Sequence, residues 1–594
     1  MSYRRKKLLA LFFAMALSMT AVAGCTGIKS STGNVVSSET ETNAEETSAQ
    51  SEAGTFSSAD MFTEWDLAGT YEESGAVYVT LSDDGIAGET DGVVIDGQMV
   101  TITAEGTYIF SGTLSEGQIV VDADNAKVQI VFDNVDITCA SSAAVYVKSA
   151  EKVFVTLAEG SQNTLRNTDE YVAIDDNNID AVIFAKSDLT LNGTGSLTII
   201  SAEGHGIVSK DDLKIIGGTY DITAAGHALS GKDSVRIADG TFILTAEKDG
   251  IHAENADDEE KGYIYIADGD FTITSDGDGM DASNIVQIED GTLDITAGGG
   301  SANSLKTHES DVPGGPGGGM PQNGEKLDGE SMPQMGEKPD GENMPQDTTT
   351  DESGTSTKGI KAGGGMYLNG GTYQIDSADD SIHSNANITI ADGTYTLATG
   401  DDGVHADDAL IVNGGTITVT ESYEGLEGLT VTINDGTIDI TASDDGINTA
   451  GEKMELNGGY IHILAGGDGV DSNGDLTING GEIYIDGPSD NGNSAIDYGD
   501  RSSAYVNGGM LVAIGSSGMA EGMSDSSKQE VLMVKLGEQM EAGDVELTDN
   551  EGNVIVSYTA LKSYDCVIIS TAEVESGATY TLTTSGTTTE VTAE

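Results

Sequence analysis

Apolar and polar residues alternate in short segments along most of this chain, and a step centred on a small residue recurs between the segments. The small residues at 206, 228 and 250 are 22 positions apart, as are those at 359, 381, 403 and 425. A glycine turn and a second alternating segment follow most of these steps. Repeats of this length, with short strands and glycine turns, predict a solenoid, and their β-branched content predicts a parallel β-solenoid.

One apolar column runs through the strand that follows each glycine turn. Since side chains alternate along a strand, the column should share its face with residues such as Ile222 and Leu244, and it should lie in the interior. The opposite face carries Thr219, Asp221 and Thr418 and is predicted to be solvated. We therefore expect the tyrosines of the column to be core residues and not sugar-stacking platforms. The column comprises Tyr220, Phe242, Phe271, Leu293, Tyr373, Tyr395, Ile417, Ile438, Ile461, Ile483 and Leu511.

The pattern changes along the chain and divides it into segments. Before residue 200 the strands have weaker glycine punctuation, which predicts irregular coils and a cap over the open end of the solenoid. A Met-Pro-Gln tripeptide recurs within a low-complexity, glycine-rich stretch, which predicts a disordered insertion. The predicted segments are a signal peptide at 1–24, a disordered tether at 25–60, a cap and first coils at 61–200, a regular β-helix at 201–527 with its insertion at 308–357, and a C-terminal β domain at 528–594.

The first residues resemble an export signal. A basic stretch, Arg4 to Lys7, precedes a short apolar run that ends in Val22-Ala23-Gly24-Cys25. The run is too short for a membrane-spanning helix, and a small pair before cysteine is typical of a lipoprotein signal. We predict cleavage before Cys25, lipidation of its thiol, and attachment to the outer face of a bacterial cell membrane. The alternative is an ordinary signal peptide with a chance cysteine.

Charge excludes one class of partner. The chain has 26 Lys and Arg against 100 Asp and Glu, a formal net charge of −74. Nucleic-acid binding needs a basic surface, so it is excluded. An acidic surface this dense repels itself unless it is hydrated or holds cations.

Acidic residues cluster at the steps of the repeat. In a solenoid, equivalent positions of neighbouring coils lie about 4.8 Å apart, and carboxylates at that spacing repel each other unless they are protonated or bridged by a cation. Calcium, which takes six to eight oxygen ligands in flexible geometry, is the expected bridge. The alternative is that each Asp only makes hydrogen bonds in its turn. The predicted calcium ligands are Asp249, Asp276, Asp278, Asp281, Asp379, Asp380, Asp401, Asp402, Asp444, Asp445, Asp468 and Asp471.

Histidines and cysteines add little chemistry to this pattern. His252, His383 and His405 occupy the same position of the step, and a polar row is favoured over catalytic imidazoles. Zinc is not expected, because its ligands would be spaced by whole coils instead of forming a compact motif. Cys139 and Cys566 are the cysteines outside the leader, and a disulfide between them is only weakly supported.

Several motifs together resemble the clostridial cellulose- and pectin-binding β-helix family of carbohydrate-binding domain-containing proteins. These are Gly106-Thr107-Tyr108, the stretch from Gly112 to Val121, the Asp-Asp-Gly-Ile/Val-His turns, and Gly515 to Glu521 before the last segment. The resemblance covers roughly residues 76–590. It implies a right-handed parallel β-helix with bound calcium, and non-catalytic binding of acidic polysaccharide and of cellulose.

The predicted function is calcium-dependent binding of an acidic plant polysaccharide, such as polygalacturonate, by a monomeric surface lipoprotein. One alternative is a calcium-dependent pectate lyase, for which Lys248, Lys361 and Lys453 are candidate bases because they lie near acidic turns. A further alternative is a structural adhesin. No recognisable catalytic set of residues is present.

Overall fold

The computed structural model describes residues 55–88, 92–258, 260–306, 356–499 and 501–593. The predicted signal peptide, Cys25, most of the predicted tether and most of the predicted insertion lie outside these residues. The described chain forms a long parallel β-helix, which confirms the predicted fold class. Its helices are Ser58–Met61, Asp66–Ala68 and Ser301–Asn303. None of the helices in the described ranges is long and apolar enough to span a membrane.

Each coil contributes strands to three parallel sheets. Sheet 1 contains Met99–Ile102, Gln118–Asp122, Val145–Ser149, Ala181–Ala185, His205–Ser209, Leu229–Gly231, Ile251–Ala253, Met280–Ala282, Ile360–Ala362, Ile382–Ser384, Val470–Ser472 and Ile496–Tyr498. Sheet 2 contains Lys152–Leu157, Asp188–Gly193, Asp212–Ile215, Ser234–Ile237, Tyr263–Ile266, Val286–Ile288, Met366–Leu368, Ile388–Ile390, Asp475–Ile478 and Ala504–Val506. Sheet 3 contains Gln162–Asn167, Ser196–Ser201, Thr219–Ala224, Thr241–Ala246, Asp270–Ser275, Thr292–Ala297, Thr372–Ser377, Thr394–Thr399, Thr416–Glu421, Thr437–Ala442, Tyr460–Ala465, Glu482–Asp486 and Met510–Gly515.

Longer strands run through the bend between sheets 1 and 2. These strands are Val404–Val412, Leu426–Ile433 and Ile447–Leu456. Thr219 pairs with Thr241 and Thr372 pairs with Thr394, so these coils have the predicted length of 22 residues.

The interior is the predicted apolar column together with its equivalents on the other two sheets. In sheet 3 the side chains alternate between exposed and buried from Thr219 to Ala224, as period 2 requires. Every member of the column is buried. The rings of Phe242 and Phe271 stack at 4.7 Å, and those of Tyr373 and Tyr395 at 4.5 Å. The tyrosines of the column are therefore core residues, as predicted.

Residues 55–76, here called the N-terminal strap, cross the outer face of sheet 2. Phe56 packs on Tyr263 with ring centroids 4.3 Å apart. Further along the strap, Met61 O accepts a hydrogen bond from Arg236 (3.3 Å), and Asp66 contacts Lys152. The strap thus runs back along the solenoid towards its first coils, and Phe56 of the predicted tether packs on the solenoid.

The two ends are closed by other strands. At the N-terminal end lie Val77–Leu81, Ala87–Gly88, Val93–Asp96, Gly106–Leu114 and Lys127–Thr138. At the C-terminal end Tyr564–Ser570 pairs antiparallel with Met510–Gly515 and with Leu532–Met540, so the edge of sheet 3 is covered. A separate antiparallel sheet follows, made of Gly543–Thr548, Val554–Ala560, Thr579–Thr584 and Thr587–Thr592. Cys139 and Cys566 are both buried and free, so they do not form a disulfide.

Candidate functional site

The steps of the repeat form the turns between sheet 3 and sheet 1. A small residue is needed there because the turn lies against the core and against the next coil. A Cβ added at Gly250 would lie 2.4 Å from Ile273 Cγ2 and 2.7 Å from Gly279 O. The same holds at Gly446, where the added Cβ would lie 2.2 Å from Ile463 Cγ2. This close packing brings the flanking side chains of successive coils into two stacked rows.

The first row, here called the turn row, consists of the residue directly before each small residue. Most of its side chains accept a hydrogen bond from the backbone N–H of the next coil. The N–H of Asp278 donates to Asp249 Oδ1 (2.9 Å), and that of Asp402 donates to Asp380 Oδ1 (3.1 Å). The N–H of Asp468 donates to Asp445 Oδ1 in the same way (2.6 Å). The members of the row are His205, His227, Asp249, Asp278, Lys358, Asp380, Asp402, Glu424, Asp445 and Asp468.

The second row, here called the strand row, points outward from sheet 1. Its members face one another in strand register on successive coils, so their side chains lie beside those of the turn row. The row comprises Ser230, His252, Asp281, Lys361, His383, His405, Glu427, Asn448, Asp471 and Asp497. Together the two rows form a charged edge along the solenoid.

Two lysines lie among the acids in the middle of this edge. Lys306 Nζ is 2.8 Å from Asp379 Oδ1 and also pairs with Asp401. Lys358 Nζ is 2.9 Å from Asp379 Oδ1 and 2.6 Å from Asp380 Oδ2. Both lysine side chains are largely buried, at 15% and 12% exposure. At Asp379, Asp380 and Asp401, three of the predicted calcium ligands, these two ammonium groups therefore supply positive charge.

Lysine cannot accept a hydrogen bond, so Lys358 interrupts the turn row. The N–H of the next member, Asp380, donates instead to its neighbour Asp379 Oδ1 (2.9 Å). Asp379 thus replaces the missing acceptor and also binds both ammonium groups. This dual role explains why acidic residues are doubled at this coil.

Histidines neutralise two other groups of acids. His252 Nδ1 lies 3.1 Å from Asp249 Oδ2 and 3.5 Å from Asp281 Oδ2. Burial alone would lower the pKa of His252, but these two carboxylates raise it to about 10. His405 lies 3.1 Å from both Asp402 and Glu427, and its pKa is raised to about 10 against the same effect of burial. The neighbouring carboxylates therefore favour the charged form of both imidazoles.

The carboxylates of the last coils differ from these groups in having no cationic side chain beside them in the described ranges. We call Asp444, Asp445, Asp468, Asp471 and Asp497 together the acid end. Among the described residues, no lysine, arginine or histidine forms an ion pair with these carboxylates. Ligand oxygens of Asp445, Asp468 and Asp471 all lie within 4.8 Å of one another. Burial, followed by neighbouring carboxylates, raises the pKa of Asp445 to about 8, that of Asp468 to about 7 and that of Asp471 to about 6. This part of the edge lacks positive charge and can accept a cation.

The predicted ligands are thus distributed over one edge, but in different environments. Asp276 is exposed and lies outside the clusters of acids found in the described ranges. Asp278 is buried beside Lys361, and burial raises its pKa to about 7. Apart from Asp276, every predicted ligand lies in one of the two rows or directly before the turn row.

Sequence reasoning missed several members of the edge. Glu424 and Glu427 flank a recognised step at Gly425, so the 22-residue period could have identified them. Asp497 pairs with Asp471 across a longer coil, which hides it from that period. Lys306 is 95 residues away from its partner Asp401, and no sequence signal joins them.

The candidate catalytic lysines lie in three different environments. Lys361 Nζ is 3.5 Å from Asp278 and 3.4 Å from Asp281. Burial would lower its pKa, but both carboxylates outweigh this effect and raise it, so the amine stays protonated. Lys453 pairs with Glu455 at 2.7 Å, and Lys248 is exposed.

The chain is similar in sequence to known proteins. The family described as carbohydrate-binding domain-containing protein matches residues 96–403 and 401–590. A carbohydrate-binding domain-containing protein of Acetivibrio thermocellus is 40% identical over 139 residues, which is 23% of this chain and 49% of that protein. The chain therefore spans about half the length of this curated relative. One solved structure is a gadolinium derivative of the polysaccharide lyase-like protein from C. thermocellum. Its sequence is 36% identical to this chain, and the match covers 38% of this chain and 92% of that protein, with a TM-score of 0.37. The family match extends over most of the β-helix and the C-terminal strands, and the protein belongs to the family of carbohydrate-binding domain-containing proteins.

Proposed function

We propose that the protein binds acidic polysaccharide through calcium ions held at the acid end. The observation that carries this proposal is the cluster of Asp445, Asp468 and Asp471, whose carboxylates have no cationic partner among the described residues. Elsewhere on the edge, lysine or histidine supplies the positive charge. A bound cation would supply it here.

Calcium suits the chemistry of these ligands better than zinc does. The acid end offers carboxylate oxygens and no nitrogen or sulfur ligand, which is the donor set of a hard cation. One oxygen of Asp445 and one of Asp468 are used by backbone N–H groups, which fixes the carboxylates in place. Their second oxygens are left for an ion, and a polysaccharide carboxylate or water would complete its six to eight ligands.

The net charge of −74 supports a role for the ion in recognition. A protein this acidic repels an acidic polymer, so direct binding of a uronate chain is unfavourable. A divalent cation shared between protein and polymer reverses the local charge and removes the repulsion. The proposed substrate class is therefore a polyuronate such as polygalacturonate.

The proposal includes a location for the protein, the outer face of the cell membrane. The leader and Cys25 lie outside the described residues, so attachment to the outer face of the membrane rests on the motif Val22-Ala23-Gly24-Cys25 alone. A lipid-anchored protein with a long rigid solenoid could hold polysaccharide near the cell surface.

Binding without cleavage is favoured over a lyase by the state of Lys361. Abstraction of a proton next to a uronate carboxyl needs a neutral base, whereas this amine is held as ammonium by Asp278 and Asp281.

Retention of polygalacturonate in calcium and in chelator tests the proposal. The double variant Asp445→Asn with Asp468→Asn keeps an oxygen for each backbone N–H but removes both charges. We expect it to lose retention, whereas Asp221→Asn with Asp270→Asn removes two exposed charges from sheet 3 and should keep it. Retention that persists in chelator would contradict the calcium role. Rising ultraviolet absorbance from unsaturated products would instead establish a lyase.

A further inference from the structure

Three histidine rings stack at the end of the charged edge that is opposite to the acid end. The ring centroids of His205 and His227 are 4.8 Å apart, with the planes inclined by 3°. Those of His227 and His252 are 4.1 Å apart, with the planes inclined by 10°. The rings belong to three successive coils, so the stack follows the axis of the solenoid. We call His205 and His227, which are both members of the turn row, the imidazole pair.

Backbone hydrogen bonds decide which nitrogen of each ring in the pair carries a proton. The N–H of His227 donates to His205 Nδ1 (2.8 Å), and the N–H of Asp249 donates to His227 Nδ1 (3.2 Å). A ring nitrogen that accepts a hydrogen bond carries no proton, so the proton of each neutral ring is on Nε2. The imidazole pair therefore offers hydrogen-bond donors at Nε2 and no lone pair there for a metal ion.

The two Nε2–H groups are available to a ligand. Neither Nε2 atom has a hydrogen-bond partner among the described residues, and neither is enclosed, so both reach solvent. The rings are oriented alike, because each accepts the same backbone hydrogen bond one coil apart. The donors therefore lie side by side at about the 4.8 Å spacing of the coils. Two parallel N–H groups can donate to the two oxygens of one carboxylate.

Positive groups flank the imidazole pair. Burial, followed by the charges of nearby groups that include Lys248 and Lys210, lowers the pKa of His205 to about 3. Both lysines are exposed, and neither has an ion-pair partner among the described residues. They also act on Asp180, whose pKa is raised by burial, while Asp249 is paired with His252. An anion that approaches this end of the edge therefore meets two ammonium groups.

We propose that the imidazole pair, together with Lys210 and Lys248, binds one carboxylate of a uronate chain directly. This inference rests on the polyuronate class of the proposed function and not on its calcium ions. The Nε2–H groups donate to the carboxylate oxygens, and the lysines offset the repulsion that the rest of this acidic protein exerts. A neutral sugar would gain nothing from the two ammonium groups.

The imidazole pair and the acid end lie on the same edge at a fixed separation. Eight coil steps of about 4.8 Å, roughly 38 Å, separate Ser230, in the coil of His227, from Asp471. A long uronate chain that lies along the edge can reach both, whereas a trisaccharide reaches one. The direct contact should be weak by itself, with a Kd of about 1 mM, and too weak to retain polymer in chelator.

Nuclear magnetic resonance of the histidine side chains tests the direct contact in the full chain without calcium. Trigalacturonate added in chelator should shift the Nε2 signals of His205 and His227 and leave those of His383 and His405 in place. The uncharged trisaccharide galactotriose should shift none of them. No shift with trigalacturonate, or an equal shift with sulfate at the same ionic strength, would overturn the inference.

Substitutions separate the donors from the surrounding charge. His205→Asn with His227→Asn keeps a side-chain oxygen for each backbone N–H, as the aspartates of the turn row do, and removes both outward donors. It should weaken trigalacturonate in chelator about tenfold, and Lys210→Gln with Lys248→Gln should do the same. Lys232→Gln removes a lysine that pairs with Asp257 and should leave binding unchanged. With melting temperatures showing that each variant is folded, equal binding by the histidine variant and the unchanged protein would refute the proposed contact.

Retention of polygalacturonate in calcium separates this inference from the proposed function. His205→Asn with His227→Asn should weaken retention of the long polymer about threefold, because one of two linked contacts is lost. Asp445→Asn with Asp468→Asn should abolish retention and leave the shifts in chelator unchanged. Absence of calcium-dependent retention would refute the proposed function, while the shifts in chelator would still decide the direct contact. Retention without any shift would refute the direct contact alone.

Discussion

At the residue scale, most side chains directly before a small residue accept a hydrogen bond from the backbone of the next coil. Asp249, Asp380 and Asp445 use one carboxylate oxygen for the N–H of the next coil, and His205 uses Nδ1 for the N–H of His227 (2.8 Å). The acidic character of the edge is therefore partly structural, as the alternative interpretation of the turn aspartates held. The second oxygen pairs with His252 at Asp249 and with Lys358 at Asp380, whereas Asp445 has no such partner among the described residues.

Lys358→Met should destabilise the protein by about 3 kcal/mol, because it removes the ammonium group that Asp379 shares with Lys306 and that pairs with the buried Asp380. Chemical denaturation measures the change. Lys232→Met, which removes a half-exposed pair with Asp257, should cost less than about 1 kcal/mol. Adding Asp379→Asn to Lys358→Met should recover part of the loss, since Asn keeps the acceptor and removes one charge. Equal effects of Lys358→Met and Lys232→Met would contradict this account.

At the scale of elements, the strands of sheet 3 are held by stacking inside and are solvated outside. Phe242 lies between Tyr220 and Phe271 in the interior, with centroids 5.3 Å and 4.7 Å away. Thr245 lies on the same strand but faces solvent. The contribution of the interior can therefore be measured within one strand.

Phe242→Ala should lower the free energy of unfolding by about 3–5 kcal/mol, because it removes a buried ring and leaves a cavity in the stack. Thr245→Ala should change it by less than about 0.5 kcal/mol. Denaturant midpoints of the two variants measure the difference. A small effect of Phe242→Ala would mean that neighbouring coils collapse into the cavity.

The N-terminal strap makes a pH-dependent contribution through Asp66. Burial alone would raise its pKa, but hydrogen bonds from Lys152 and Thr63 lower it to about 2. Because the folded pKa lies below the unfolded value of about 4, the stabilisation is complete above pH 4 and is lost as the pH falls towards 2. Asp66→Asn should cost about 2–3 kcal/mol at neutral pH.

The free energies of unfolding of Asp66→Asn and of the unchanged protein should therefore converge as the pH falls below 4. Melting curves at several pH values would follow this convergence. A difference that stays constant down to pH 2 would show that Asp66 acts through packing and not through its charge.

At the scale of the whole molecule, positive charge is distributed unevenly along the solenoid. Lysines and histidines neutralise the middle of the charged edge, while the acid end has no such partner among the described residues. If calcium binds there, it stabilises the folded state by about 2.7 kcal/mol at 100 times its dissociation constant. The melting temperature should therefore rise in calcium and fall in chelator.

The double variant Asp445→Asn with Asp468→Asn should be less sensitive to calcium and more stable than the unchanged protein in chelator, because it relieves repulsion between buried carboxylates. Melting and elemental analysis of the purified protein would measure both effects. Identical melting temperatures with and without chelator, and no bound ion, would refute the calcium hypothesis.

Attachment to the membrane is a property of the whole chain that depends on one residue. Cys25→Ala removes the thiol that would carry lipid, so the protein should be released or left unprocessed. Partitioning into detergent, followed before and after the substitution, measures this. Unchanged partitioning would show that Cys25 is not the anchor.

The sequence by itself determined the repeating part of this protein. The 22-residue period predicted the coils, period-2 alternation predicted the buried column from Tyr220 to Leu511, and the same period gathered the turn aspartates on one edge. These features could be predicted because each coil meets the next in the same way, so one local pattern specifies many contacts. Only the tertiary structure decided that Lys306 neutralises Asp379 and Asp401 and that the N-terminal strap covers sheet 2, because both segments lie outside the repeat. Their contacts join parts of the chain that share no period, and no local pattern specifies such contacts.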